Sequence, residues 1–292
     1  MTNALRGELW RALGSISEIS GPHRSLSRAL RLPDLDPVSQ TELFVLQLPP
    51  YAARYLSSDG MLGGESADRV AGFWRVLGMI PPAEPDHLAS IAGLYGALLD
   101  AEAAPASPSW QSPVKRAREV FFWEHIATWM PPYLLQVSNL GDGAQRAWAD
   151  LLLDAIYAEA TMLISPERPS LGFREAPPPV GPDTEASDAI EAVLVPGRSG
   201  LILTKAALAR ASAEIGVGLR VGERRFILQS LLDQDPAATL GWLTAESSAW
   251  RLALLQLPSA LGVMVEFWTT RVAATEARLS ELADRALTAT LA

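Results

Sequence analysis

The chain has 292 residues, is 49% hydrophobic, and carries 33 acidic against 24 basic side chains, a formal net charge of -9. Such a chain can bury one large core or two smaller ones, which excludes disorder throughout, and its negative field repels nucleic acid and anionic lipid unless a local basic patch overrides it. It has no cysteine, which excludes disulfides, thiolate zinc sites, iron–sulfur ligation and a cysteine nucleophile, and which fits a reducing cytoplasm.

Met1 to Trp10 lack a basic stretch followed by an apolar run, so no secretory signal is expected and the mature chain is expected to begin near Met1. Helical spacing then dominates. Val70, Phe73, Trp74 and Leu77 fall at i, i+3, i+4 and i+7, and Leu88, Ile91, Tyr95 and Leu98 form a similar stripe. A third helix is predicted over 114–130, ended by Pro131 and Pro132, and a fourth, rich in Leu and Ala, over 144–163. These define an N-terminal helical domain, 1–165.

Residues 166–188 are dense in Pro, Gly and charge and read as a linker or exposed loop. In the following AVLVPGRSGLILT, a short hairpin around Pro196 to Gly200 and an extended loop explain the residues about equally well. Helices resume in a C-terminal domain, 189–292. Thr204 is an expected N-cap, and Asp235 with Pro236 forms an N-cap and N1 pair. Leu240, Leu243, Ser247, Trp250 and Leu254 share one face. The charge-free stretch from Leu252 to Val265, broken by Gln256 and Pro258, is shorter than the ~20 residues that span a bilayer, and reads as two buried helix ends meeting at Pro258. Leu261, Val265, Trp268, Val272, Thr275, Leu279, Leu282 and Ala286 then alternate spacings of four and three along a long last helix, packed within the chain rather than as a coiled-coil dimer. The fold class is all-α.

Glu84-Pro85-Asp86-His87 lies between two helices, after Pro81-Pro82. In its plain structural reading, Asp86 caps the following helix and Pro85 stiffens the approach. In its functional reading, a hinge holds a carboxylate and an imidazole where they meet the backbone or basic side chains of a peptide. His87 shares a face with Ile91, Leu94 and Leu98, so its ring is expected to point toward a groove or the core.

Further motifs surround this one. Pro49-Pro50-Tyr51-Ala52-Ala53-Arg54-Tyr55, Gly63-Gly64-Glu65, the Phe73-Trp74 helix, Glu84 to His87, the helix 88–100, and Phe122-Trp123-Glu124-His125 with Trp129, Pro131 and Tyr133 occur in that order. Over residues 40–163 this ordered set resembles the TorD/DmsD family of assembly chaperones for molybdopterin oxidoreductases. The resemblance implies an all-helical bundle of that type with an additional C-terminal portion, and no catalysis or cofactor. Its implied partner is a twin-arginine signal peptide or the apo catalytic subunit, met in the cytoplasm before export by a monomer or homodimer without membrane insertion. It makes Asp86 and His87 the hinge residues, and it matches Tyr51 and Tyr55 to the family's tyrosine motif beside an apolar groove around Phe73, Trp74 and Trp129. Glu84 and His125 complete the candidate peptide-binding set. Ala52 departs from the acidic residue that many family members carry after the tyrosine. The physics allows the role, because a signal peptide offers paired arginines and an apolar stretch, and its receptor needs carboxylates beside an aromatic groove.

Other chemistries have less behind them. Glu124 and His125, with Glu84, Asp86 and His87, are types that hold metals or shuttle protons, but three histidines without HExxH spacing argue against a metal site. Gly216, Gly218 and Gly222 do not fit GxGxxG, and no GxxxxGK occurs. The main alternative is a helix-turn-helix DNA-binding regulator using Thr204 to Arg210 and the basic cluster Arg220, Arg224 and Arg225.

Overall fold

The computed structural model describes residues 2–21, 23–104 and 108–291, with the backbone alone at 108–112, 290 and 291. It is all-α, and no strand occurs among the described residues. The chain divides into two compact units: Met1–Leu56 with Met61–Glu175 and Pro258–Leu261, and Ser57–Gly60 with Ala176–Leu257 and Gly262–Ala292.

The first unit contains α1 (Asn3–Ser15), α2 (His23–Leu30), α3 (Pro37–Thr41), α4 (Ala52–Leu56), α5 (Glu65–Val76), α6 (Leu88–Ala103), α7 (Pro108–Phe121), α8 (Met130–Leu140), α9 (Gly143–Met162) and α10 (Leu171–Arg174), with π-helical turns at Glu42–Gln47 and Phe122–Ile126. The stripe Leu88, Ile91, Tyr95 and Leu98 is buried as its spacing predicts. α1 runs antiparallel along α6 at close range: a Cβ on Gly96 would stand 2.8 Å from the Gly7 carbonyl oxygen, and one on Gly14 would stand 2.6 Å from the Ala92 Cβ. α9 begins with a capping box in which Asp142 accepts from the Ala144 and Gln145 amides while the Gln145 side chain accepts from the Asp142 amide. Trp10, Tyr95, Trp129, Tyr133 and Trp148 are fully buried.

One polar cluster crosses this core. Glu159 on α9 accepts from Arg6 Nε at 2.9 Å, Tyr95 Oη at 2.5 Å and an Arg118 guanidinium nitrogen at 3.1 Å, and Arg118 Nε donates to Glu102 at 2.5 Å. It joins α1, α6, α7 and α9.

Pro131 and Pro132 do not end a helix as predicted. They occupy the first turn of α8, where the missing amide costs nothing because a helix start has no partner for it. The expected linker is partly committed to the cores, since α10 buries Phe173 and Val180 is also buried.

The second unit contains α11 (Ala186–Ala192), α12 (Pro196–Ser199), α13 (Lys205–Ile215), α14 (Arg224–Gln234), α15 (Pro236–Leu254) and α16 (Gly262–Leu291). Thr204 and Asp235 cap as expected, accepting from the Ala207 and Ala238 amides. The α15 face from Leu240 to Leu254 is buried, as are Leu261, Trp268, Val272, Thr275, Leu279 and Leu282; Met264 takes the buried place expected of Val265. The hairpin is absent. Pro196–Ser199 forms one helical turn, closed by Gly200 in the left-handed region at φ 76°. The carbonyls a ladder would need are taken by side chains: Arg271 donates to Gly197, Thr275 to Ser199 and Trp250 to Gly200. No single described helix is long and apolar enough to cross a membrane.

Candidate functional site

The hinge is built from two segments that sequence separates and backbone hydrogen bonds join. Tyr51 and His87 form an isolated antiparallel bridge. The Leu88 amide donates to the Pro50 carbonyl at 2.8 Å and the Ala52 amide to the Asp86 carbonyl at 3.0 Å. Pro49 and Pro50 hold their segment extended, which leaves its carbonyls available for this pairing.

Asp86 does not cap the helix that follows it. Its carboxylate accepts from the Ala53 amide at 3.0 Å, at the start of α4, while His87 becomes the N-cap of α6 by accepting the Ala89 amide on Nδ1 at 3.1 Å. Burial raises the Asp86 pKa, opposed by the bond from Ala53. Burial lowers that of His87, opposed by the nearby Glu84 charge. The His87 ring meets Tyr51 edge-on at 4.8 Å between centroids. Burial, with the nearby Glu84 carboxylate, pushes the Tyr51 pKa up to about 12.

The remaining candidates lie deeper. Tyr55 stacks on Trp129 at 5.5 Å and donates to the Pro49 carbonyl, so both rings support the hinge from below rather than line an open groove. Trp129 donates its indole N–H to the His125 carbonyl. The His125 ring contacts Phe73 at 5.8 Å and Phe121 at 5.1 Å, and burial, with a smaller contribution from Arg69, drives its pKa down to about 4. Trp74 is half-buried, with its indole N–H enclosed and no acceptor among the described residues. Tyr51, Glu84, Asp86 and His87 thus form one group, in which Glu84 is exposed, Tyr51 half-buried and Asp86 and His87 buried, underlain by Tyr55 and Trp129; Phe73 and His125 form a separate aromatic cluster, joined to it by the Trp129 indole on the His125 carbonyl.

Apolar surface adjoins the hinge along the chain. Val76 is 87% and Ile80 91% exposed, with Met79 also exposed, at the end of α5 and just before Pro81. Such consecutive exposed aliphatics exceed what a folded surface ordinarily carries singly. Residues 21–134 match the nitrate reductase delta subunit family. This is the NarJ/TorD-like chaperone family, in agreement with the resemblance carried by the motifs, and the matched stretch contains every candidate residue from Tyr51 to Trp129. No curated protein matches the chain.

Beyond the family's motifs, sequence reasoning missed the Arg6, Tyr95, Glu102, Arg118 and Glu159 cluster. Its signal was present: Glu159 follows Trp148, Leu152 and Ile156 on the apolar face of α9, and a charge on such a face needs buried partners. The metal-ligating types do not converge. Glu124 accepts from the Leu171 amide while His125 packs among aromatic rings, and no group of three or more His, Asp or Glu positioned to hold a metal occurs among the described residues. In the basic cluster of the second unit Arg220 is exposed, and the others have partners within the unit. Arg224 donates to the Leu203 and Leu194 carbonyls, Arg225 pairs with Glu191, and Lys205 with Glu223.

Proposed function

We propose that this protein is a cytoplasmic assembly chaperone, without catalytic activity, that holds the signal peptide or another segment of the apo catalytic subunit of a molybdenum-cofactor oxidoreductase and so aids cofactor insertion before export. The N-terminal helical domain, 1–165, carries recognition, and residues 189–292 form the additional helical domain. The observation that supports this most directly is the exposed run Val76, Met79 and Ile80 leading into a hinge at which the Glu84 carboxylate is exposed. A client segment with basic residues beside an apolar stretch complements it in both respects.

Affinity capture of the tagged protein from its native cytoplasm, followed by mass spectrometry, tests the reading. The expected result is enrichment of a molybdopterin oxidoreductase subunit. If none appears even when cofactor insertion is blocked and apoenzyme accumulates, the chaperone reading fails.

A further inference from the structure

A cavity of about 470 Å³ opens within the first unit, walled by α7, the π-helical turn Phe122–Ile126, the segment 164–169 and α10. Its volume lies in the range of small-ligand pockets, and its walls include neither Tyr51, Glu84, Asp86 nor His87. Val120 and Trp123 contribute apolar surface from one part of the fold, and Ile164, Pro166 and Pro169 from the segment after α9.

The charged groups around the cavity are not equivalent. Glu119 is buried and pairs with Arg116 at 3.6 Å, and Glu124 accepts from the Leu171 amide at 2.7 Å, so the protein itself engages both carboxylates. Arg168 and Arg174 are exposed and have no hydrogen bond or ion pair among the described residues, and the same holds for Glu167. One positive charge is left over, carried by guanidinium groups whose planar forks match a carboxylate. A doubly charged anion would exceed that balance beside three glutamates.

Trp123 is 5% exposed, and its indole N–H is enclosed with no acceptor among the described residues. A buried donor without an acceptor is costly, and a ligand oxygen reaching it relieves the cost. The same ring offers a broad apolar face, which favours an amphipathic molecule over a bare ion.

We propose that this cavity binds a small amphipathic carboxylate, with its head group held by Arg168 and Arg174 and its body against Trp123, whose indole N–H it accepts. The site is separate from the hinge and does not depend on the peptide-binding reading.

The test titrates the full chain with phenylbutyrate and with phenylbutylamine, which share a body and differ in the sign of the head group, at constant ionic strength. Calorimetry reads affinity. The indole N–H resonance of Trp123 in isotope-labelled protein, identified by its loss in Trp123→Phe, reads the place of binding. The acid is expected to bind with a dissociation constant on the order of 1 mM, the scale for a dozen heavy atoms, and to move that resonance saturably. The amine should bind about fivefold more weakly, as an exposed ion pair would dictate. Arg168→Gln combined with Arg174→Gln, both surface changes, should erase the difference between acid and amine. Trp123→Phe, which keeps a ring and removes the donor, should weaken the acid about threefold or more. Equal affinities for acid and amine, binding that leaves the Trp123 resonance still, or an undiminished preference in the double arginine variant overturns the site. No acid binding up to about 20 mM overturns it as well, and an unchanged affinity in Trp123→Phe overturns the role of the indole.

Discussion

His125 shows how one buried side chain sets a pH response. Its imidazole lies against Phe73 and Phe121, and burial holds its pKa near about 4, against 6.5 for the unperturbed group. Between those values the unfolded chain binds the extra proton and the native chain does not, so stability falls as pH drops from 6.5 toward 4. His87 is shifted in the same direction, while Asp86 and Glu124, both raised by burial, work against the trend at the acid end. We expect about 2 kcal/mol of acid destabilisation from His125 at pH 4.5. His125→Phe, which keeps the ring contacts, should remove that part of the slope in urea unfolding compared at pH 7 and 4.5; an unaltered slope would mean that the imidazole reaches water. The motif Asp86-His87 was legible as residues, but its bonds were not. Cap geometry read from spacing looks three residues ahead, and the amide that Asp86 accepts belongs to a segment far upstream, brought close by the fold alone.

Among the helices, close approach and capping give separable predictions. Gly96→Ala would push a methyl group into the Gly7 carbonyl and should destabilise by about 2 kcal/mol, read as a lower urea midpoint with an unchanged m-value. Asp235→Ala removes only the bond to the Ala238 amide and should cost about 1 kcal/mol in the same measurement. Helices with a strong apolar period were readable from sequence because burial enforces that period: Leu88 to Leu98 and Leu240 to Leu254 lie buried as spaced. Elements decided by long-range partners were not. The β-rich run around Val195 and Leu201 stays unpaired because Arg271, Thr275 and Trp250 take the carbonyls, and two adjacent prolines look the same at the end of one helix as at the start of the next.

For the molecule as a whole, the net charge of -9 should draw a basic client in and weaken as ions screen it. The association rate of an arginine-bearing peptide should therefore fall severalfold between low and 0.5 M salt in stopped-flow measurements, with dissociation changing less; equal rates would place the attraction outside the protein's overall field. The Glu159 cluster is a second property of more than one element, because it ties four helices. Glu159→Gln should cost about 3 kcal/mol, since Arg6 and Arg118 would both lose a buried counter-charge, a loss visible as a lower melting temperature. The order of the chain gives that cluster a temporal meaning. Arg6 leaves the ribosome first and Glu159 more than 150 residues later, so over that stretch of translation Arg6 waits for its carboxylate beside bare apolar helix faces, while Arg118 already has Glu102. The fold therefore passes through an unfinished interval, which ends only when α9 has been synthesised and its single glutamate meets the guanidinium groups made before it.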